Sequence, residues 1–516
     1  MNRTTLSLIA GTAALAAVTG FATLNEPDGS GADSARAAAE LPVERTSLLC
    51  PAPSTSDLAE TSYTSFTPVT KGTGDDGRAE LAPATEESAD PASGKPSGKP
   101  SAKTDGKKDG KASGKKKPAA KPVLTPKAPG APAVGATSGG DAAALLGTAE
   151  GRFAPGWTVQ ETTEVPAGSG RGLQGLACSA PDTEFWFPGV STAADRTDYV
   201  HLTNPDDSAA VVDIELYGKD GALATTVGED LTVPAHSSEP ILLSTLTGEK
   251  QADLTVHVNV RSGRLGAAVQ ALDEKLGGDW LAAATDPAPV QVVPGIPKDA
   301  TNVRLVAYAP GDADADLKVQ LASPSGLITP AGHETLHVKA GRTISVDLGD
   351  VTRGEAGSLI LTPTDRSVPV VAAARVLRGK GGNQESAFIP ATAPVGTRAS
   401  AAGNNAKGTV LSLTAPKGTA QVKVTASPGS GGGTAVSKTY TVRSGTTQDV
   451  ELPVPAGLKG SYALTVETLT ATPVYASRTL TSTQEGVPGF TVQTLPDDRG
   501  TVSVPQADED VAVLQK

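Results

Sequence analysis

Short segments in which apolar and polar residues alternate occupy the C-terminal two thirds of the chain. Residues 211–216, 315–321 and 421–425 each follow a turn rich in Pro, Asp or Gly and change character at every second position. A period of two is typical of a β-strand with one face buried against a core. The pattern therefore predicts half-buried strands throughout this region.

The alternating segments recur at a nearly constant period, which indicates a repeated unit. The markers of the three copies are the turn residues Pro205, Pro310 and Pro416 and the strand residues Leu272, Leu377 and Leu480. The prolines are 105 and 106 residues apart, and the leucines are 105 and 103 residues apart. A unit of this length is typical of an immunoglobulin-like domain.

The predicted fold class is all-β, with tandem immunoglobulin-like antiparallel β-sandwich modules after an N-terminal apolar helix and a long disordered insert. The predicted modules cover residues 182–285, 286–385 and 386–495. Ahead of them, residues 45–63 together with 157–180 are predicted to form a partial β unit. Residues 496–516 are predicted to be a C-terminal tail.

One segment of the first copy favours a helix when it is read alone. Residues 265–284 have apolar positions at helical spacing, but their counterparts in the other copies contain Gly, Pro and β-branched residues. Helix propensity is a weak guide when context opposes it. The repeat therefore predicts a strand, a Gly-rich turn and a second strand.

The N-terminus indicates export from the cytoplasm. Arg3 precedes residues 6–24, which are 19 residues without an ionisable side chain. A helix of that length is about 28 Å long, close to the hydrocarbon thickness of a bilayer. Residues 1–36 are therefore predicted to be a signal peptide or a membrane anchor, and both alternatives stay open. The expected location is extracytoplasmic, either secreted or anchored to the cell membrane by residues 6–24.

Residues 68–144 are rich in Gly, Pro, Ser, Ala and Lys and have few large apolar side chains, which predicts disorder. Within them, residues 95–127 carry 11 Lys against two Asp. The lysines that could touch anionic wall polymers or a membrane surface are Lys107, Lys108, Lys111, Lys115, Lys116 and Lys117. The alternative is a solvated segment without a fixed partner.

Composition excludes several classes of protein. The formal net charge of −12 argues against a nucleic-acid partner. Two Cys exclude a cysteine-rich metal protein, and no cofactor is expected. In an exported chain these residues, Cys50 and Cys178, are predicted to form a disulfide, because oxidising conditions let such a bond persist.

Residues 333–337 read HETLH and match HExxH, a zinc-protease motif that requires a helix. The repeat instead places His337 among strand residues. On a strand, residues four positions apart are roughly 13 Å from one another, too far to share one zinc. The motif at His333 and His337 is therefore predicted to be coincidental, and the protein is not expected to be an enzyme.

Phe185, Trp186 and Phe187 admit two interpretations. They could form a patch that stacks on glycans, or they could belong to the core of the first module. In a chain with only 3% aromatic residues, the core is favoured.

The motifs LLCPAP and FWFPG, together with the apolar N-terminus, the Lys/Pro/Ala-rich insert and the tandem β repeats, carry a resemblance. The chain resembles an uncharacterised family of exported actinobacterial proteins of unknown function over nearly its whole length. The resemblance implies no catalytic residues. The expected function is a non-enzymatic secreted or surface-anchored cell-envelope protein whose modules act as a scaffold or binding surface. The alternatives are an envelope hydrolase with an unrecognised site and an accessory subunit of a membrane enzyme, and another envelope protein is a further expected partner.

Overall fold

The computed structural model describes residues 39–84, 121–484 and 487–505. The described chain is almost entirely β-structure, in antiparallel sheets whose strands are numbered from β1 (Ala39–Pro42) to β37 (Thr501–Val504). This confirms the predicted all-β fold. The chain divides into a large unit, Pro42–Gly500, and a small one, in which β1 pairs with β37.

The N-terminal module is a complete two-sheet sandwich. Its strands are β2 (Arg45–Cys50), β3 (Glu60–Phe66), β4 (Gly77–Pro83), β5 (Ala133–Ser138), β6 (Leu145–Gly151), β7 (Thr158–Val165) and β8 (Gly172–Ala177). They form one sheet in the order β2-β6-β4 and a second in the order β5-β3-β7-β8. The predicted partial β unit of 45–63 with 157–180 was therefore too small.

Strands β4 and β5 lie inside the region predicted to be disordered. Residues 68–84 and 121–144 contain β4 and β5 and belong to the ordered N-terminal module. The prediction of disorder over 68–144 was therefore wrong at both ends. Ala79 and Leu81 of β4 are buried in the core of the N-terminal module. They pack in the same core as Tyr63 and Trp157, which lie on other segments of the module.

The first module has nine strands and one short helix. They are β9 (Glu184–Val190), β10 (Arg196–Thr203), β11 (Ala210–Gly218), β12 (Gly221–Ala222), β13 (Leu231–Val233), β14 (Ser238–Leu242), α1 (Leu243–Leu246), β15 (Leu254–Ser262), β16 (Gly266–Asp273) and β17 (Gly277–Leu281). The sheets are β14-β10-β16-β17 and β12-β11-β15-β9, with β13 beside β11. Because β16 and β17 occupy residues 265–284, the predicted strand, turn and strand are confirmed there.

The second module repeats this plan. Its elements are β18 (Gln291–Ile296), β19 (Ala300–Tyr308), β20 (Ala315–Ser323), β21 (Gly326–Ile328), β22 (Thr335–Val338), β23 (Thr343–Asp347), β24 (Gly357–Pro363), β25 (Val371–Arg378), the 3₁₀ helix Gly381–Asn383 and β26 (Glu385–Pro390). The sheets are β23-β19-β25-β26 and β18-β24-β20-β21, with β22 beside β20. The predicted boundary at residue 386 cuts β26, which pairs with β25 and belongs to this module.

The third module completes the series. Its strands are β27 (Arg398–Asn404), β28 (Thr409–Ala415), β29 (Ala420–Ala426), β30 (Gly432–Thr434), β31 (Val436–Val442), β32 (Thr446–Val450), β33 (Ala456–Lys459), β34 (Tyr462–Thr468), β35 (Tyr475–Gln484) and β36 (Val487–Thr494). The main sheets are β32-β28-β35-β36 and β27-β34-β29-β31, and β30 pairs with β33. The same strand order in four modules identifies a fourfold repeat where the sequence predicted a threefold one.

The four modules form a closed ring. The first strand of each module contacts a sheet of the next: β9 lies against β19 and β25, and β18 lies against β28 and β35. From the third module, β27 returns to β3 and β7 of the N-terminal module, while β2 contacts β16 of the first. The last strands, β8, β17, β26 and β36, contact one another in the same cyclic order. They therefore surround a central axis.

A β-bulge in the first strand lets the modules approach closely. In the second module the register of β18 against β24 shifts between Val293 and Ile296, and Gly295 in this bulge has a φ of 72°. A Cβ atom at Gly295 would lie 1.8 Å from Ser477 Oγ of the third module. Only glycine combines this left-handed backbone with so close a contact.

Two predictions fall on residues that the structure does not describe. The apolar segment 6–24 and the lysines between residues 107 and 117 lie outside the described ranges. Among the helices that are described, none has the length and apolar character needed to span a bilayer.

Candidate functional site

The ring axis carries a carboxyl group that all four modules share. Asp279, on β17 of the first module, has no solvent exposure. Its oxygens accept hydrogen bonds from the backbone N–H of Gly175, at 3.2 Å, and of Phe388, at 3.4 Å. The Thr491 hydroxyl lies beside the carboxyl and donates to the Gly175 carbonyl oxygen at 3.5 Å. These three residues belong to the N-terminal, second and third modules, so one side chain links the whole ring.

Burial raises the pKa of Asp279 well above its usual range, and the hydrogen bonds from Trp280, Gly175, Thr491 and Phe388 oppose this only in part. A neutral carboxyl can both accept the backbone N–H groups and donate its own proton. Asp279 is therefore a structural hub and not an exposed reactive acid.

One end of the axis is bridged by Arg171, directly before β8. Its guanidinium donates hydrogen bonds to the carbonyl oxygens of Lys275, at 2.6 Å, and Gln384, at 3.2 Å. These acceptors precede β17 and β26, the equivalent strands of the first and second modules. Arg171 therefore holds three modules together at this end.

A pocket of about 390 Å³ lies at the opposite end of the axis. The segments that follow β8, β17, β26 and β36 all line it, so every module contributes. Its lining polar side chains are Thr46, Thr158, Gln160, Ser179, His201, Thr203, Thr285, Thr392, Ser400 and Thr494. Between them lie small apolar residues, including Ala267, Ala268 and Ala283. A concave site where several domains meet is a common position for ligand binding.

The mouth of the pocket is rich in carboxylates. Asp182, Glu184, Asp286 and Asp497 line it, and Arg499 adds one cation; Glu184 is already paired with His257 at 3.1 Å. Asp498 also lines it, but its carboxylate is bonded to the guanidinium of Arg398, with Nε 2.6 Å from Oδ2. Within the described ranges, Asp182, Asp286 and Asp497 form no ion pair, although backbone N–H groups donate to Asp182 and Asp497. Their negative charge favours ligands that carry an amino group. Because residues 496–499 line the pocket and β37 follows them, the predicted tail 496–516 begins as ordered structure.

His201 lies in the pocket wall and is almost completely buried. Among the described residues, neither ring nitrogen has a hydrogen-bond partner of good geometry. Burial lowers the pKa of His201 to about 4, although the Gln270 side chain opposes this. The imidazole is therefore neutral near pH 7. Its ring lies edge-on to Trp280, with centroids 5.0 Å apart.

The structure joins Cys50 and Cys178 in a disulfide, the pair that the sequence predicts. The bond connects the end of β2 to the residue after β8, and Cys178 lines the axial pocket. Beside it, an oxygen of Glu161 and the two sulfurs all lie within 4.8 Å of one another. Because the sulfurs are bonded to each other, this cluster cannot bind a metal in the oxidised protein.

The other motifs noted in the sequence do not assemble into a site. His337 lies on strand β22, as the repeat predicts, whereas His333 and Glu334 precede the strand at a turn, so the HExxH match is not helical. His337 Nδ1 pairs with Asp316 Oδ1 at 2.8 Å. Phe185, Trp186 and Phe187 are buried, which confirms their interpretation as core residues.

His257 is the second histidine with close carboxylates. Its Nδ1 lies 2.8 Å from Glu215 Oε2, and its Nε2 lies 3.1 Å from Glu184 Oε1. The ring stacks on Trp186, with centroids 3.8 Å apart. Because carboxylates occupy both nitrogens, neither is free to act as a general base.

Sequence reasoning missed His201, Asp279 and Glu161, since all three stand in strands without a motif. No curated protein matches the chain in sequence. Residues 133–453 match DUF5719, a family of unknown function. The predicted resemblance to an uncharacterised family is confirmed, while actinobacterial origin and export stay predictions. Because the match covers more than half of the chain, this protein belongs to the DUF5719 family.

Proposed function

We propose that this protein is a non-enzymatic, secreted or surface-anchored cell-envelope protein that binds a small polar ligand on its ring axis. The observation that carries the proposal is the axial pocket to which all four modules contribute. The ring supports it, because Asp279 and Arg171 fix the strands whose ends form the pocket. Preorganised walls lower the entropic cost of binding.

The chemistry of the pocket favours an amine-bearing, hydroxyl-rich ligand such as an amino sugar or a short basic peptide. The hydroxyls of the lining Ser and Thr residues can donate to and accept from ligand hydroxyls. The carboxylates of Asp182, Asp286 and Asp497 would face the cationic group. The expected affinity is modest, since such rim charges remain partly solvated.

In this proposal the lysines near residues 107–117 supply a second, electrostatic contact with anionic wall polymers or a membrane surface. Clustered Lys residues near an anionic surface contribute about 1 kcal/mol each. The two contacts differ in salt dependence, because a run of Lys residues loses affinity steeply at high ionic strength, while a pocket that also binds through hydroxyl hydrogen bonds loses less.

A hydrolase is the second candidate, because His201 and five acidic residues line the same pocket. Against it, both nitrogens of His201 are shielded from solvent in the described structure. A base must reach the proton that it abstracts. The binding function therefore has the better geometric support.

Titration with amino sugars, short basic peptides and neutral glycans, followed by calorimetry, tests the proposal. We expect an amine-bearing ligand to bind the wild type and to lose at least tenfold in affinity when Ala393→Trp fills the pocket. Val410→Trp, an exposed position on β28, is the control and should bind normally. Equal affinity in both variants, or turnover of a bound glycan or peptide, would contradict the binding function.

A further inference from the structure

Glu161 is an unusual residue for the core of the N-terminal module. It is fully buried, and neither carboxyl oxygen has a hydrogen-bond partner among the described residues. The core of this module includes Leu48, Leu81 and Val159, and Tyr63 lies directly opposite Glu161 on the neighbouring strand β3. An unpartnered polar group in such a place costs roughly 1–3 kcal/mol. Packing alone does not explain why a carboxyl is here.

The reactive group closest to the Glu161 carboxyl is the Cys50–Cys178 disulfide. One Glu161 oxygen lies within 4.8 Å of both Cys50 Sγ and Cys178 Sγ. Burial raises the pKa of Glu161 well above its usual range, which favours the protonated carboxyl. A proton donor therefore stands next to a bond whose cleavage releases a thiolate.

The two sulfurs differ in access. Cys50 has no solvent exposure and belongs to the apolar core, whereas Cys178 is 7% exposed and lines the axial pocket. An attacking thiol can therefore approach only Cys178. Cys50 must then leave as a thiolate inside an apolar core, which is costly unless that thiolate is protonated at once.

We propose that Cys50–Cys178 is a reducible disulfide, attacked by a small thiol from the axial pocket at Cys178, with Glu161 as the proton donor to Cys50. The incoming thiolate forms a bond to Cys178 Sγ, the Cys50–Cys178 bond breaks, and Cys50 Sγ takes the proton of Glu161. A second thiolate then attacks the sulfur of the bound reductant. The products are the Cys178 thiolate, which takes a proton from solvent, and the oxidised reductant.

This inference does not depend on the ligand of the pocket. Two electrons pass from two thiols to the disulfide, and the Glu161 carboxylate regains its proton from solvent. Reduction removes the covalent link between β2 and the segment after β8, both of which line the pocket. Redox state would therefore control the rigidity of one pocket wall.

The test is the rate at which dithiothreitol reduces the disulfide in the folded protein, followed by alkylation of free thiols and mass spectrometry. Glu161→Gln keeps the shape and removes the proton, and we expect reduction to slow by about 100-fold, the lower range for general acid catalysis. Thr163→Val, an equally buried position on β7, should reduce at the wild-type rate. A loss smaller than tenfold in Glu161→Gln overturns the proposal.

A second measurement needs only the wild type and keeps the proposal testable if the variant folds poorly. A monothiol such as 2-mercaptoethanol should leave its mixed disulfide on Cys178 and a free thiol on Cys50. A mixed disulfide on Cys50, or reduction no faster than global unfolding, overturns it.

Discussion

Asp279 is the single residue at which the four modules meet. Its loss would leave two backbone N–H groups without an acceptor at the ring axis. Leaving a buried donor unsatisfied costs about 1–3 kcal/mol. We therefore expect Asp279→Ala to lower the free energy of unfolding by about 2–4 kcal/mol in denaturant titrations. Asp220→Ala, at an exposed site beside Lys219, is the control and should change stability by no more than about 0.5 kcal/mol. A similar small effect at both positions would show that Asp279 is not a hub.

The raised pKa of Glu161 determines the direction in which the free energy of unfolding changes with pH. The folded state holds this proton to a higher pH than the unfolded chain, whose carboxyl titrates near its ordinary value of 4.5. The contribution of Glu161 is fully present below that value and is lost as pH rises towards the folded pKa. Relative to Glu161→Gln, the oxidised wild type should therefore lose up to about 1.4 kcal/mol per pH unit in this window. Urea titrations from pH 4 to pH 8 measure the difference, and a pH-independent difference would contradict a protonated Glu161.

The residues of the candidate site were unequally predictable. The disulfide between Cys50 and Cys178 was predictable, because the chain has only two cysteines and the expected compartment is oxidising. Glu161 lies in TVQETTEV, which has the alternation of a solvated strand and gives no sign that the carboxyl faces a core. Asp279 becomes recognisable only when four last strands meet, and contacts between distant modules leave no local pattern.

At the scale of single elements, the bulge in β18 predicts that replacement by alanine costs much more stability at Gly295 than at Gly341. Gly295→Ala requires both a left-handed backbone, which costs about 1–2 kcal/mol, and displacement of Ser477. Gly341 has a similar φ of 66°, but no other atom lies within 4 Å of the position that an added Cβ would occupy. We expect Gly341→Ala to cost only the backbone penalty and Gly295→Ala to cost at least twice as much in urea titrations. Equal costs would mean that the modules can separate locally without loss.

Strand β22 gives a prediction about zinc. His337 is on this strand, and its imidazole faces Asp316 and Asp314 on the neighbouring segment. Because His333 lies at the turn before β22 and His337 lies within the strand, the two imidazoles do not share the face of a helix. We therefore expect zinc neither to co-purify nor to raise the melting temperature. Metal analysis of protein purified without chelator is the measurement. One bound equivalent that is lost in His337→Ala would show that the pair can converge.

Element types were predicted more reliably than element boundaries. The repeat identified β16 and β17 correctly against a local helical pattern, since three copies constrain the conformation together. The boundary at residue 386 failed because β26 continues the sheet of the second module across a turn containing Gly381 and Gly382. β5 was missed because AVGATS has only small side chains, and its pairing with β3 stabilises it instead.

At the scale of the whole molecule, the ring changes how stability is distributed. In a linear array of modules, each terminal module has one interface, and stability is nearly a sum over neighbours. Here the third module contacts the N-terminal module directly: Arg398 donates to Thr70 Oγ1 at 3.1 Å, and Arg478 donates to Gln160 Oε1 at 3.3 Å. The disulfide cross-links the N-terminal module, which closes the ring. Without this bond the segment between Cys50 and Cys178, which are 128 residues apart, would form a long open loop in the unfolded chain, which would lower the stability of the module.

Removing the closing module should therefore weaken the other three. A fragment of residues 182–500 lacks the N-terminal module, so the first and third modules each lose an interface: Gly175 no longer donates to Asp279, and Gln160 no longer accepts from Arg478. Arg478 is fully buried, so it would be left with one fewer partner beside newly exposed apolar surface. We expect residues 42–500 to unfold in one transition and the fragment to unfold at a clearly lower urea concentration. Tryptophan fluorescence follows both, through Trp186 and Trp280 in the fragment and through these two and Trp157 in the longer chain. A fragment with the same midpoint as residues 42–500 would mean that the modules behave as a string and that the ring contacts contribute nothing to stability.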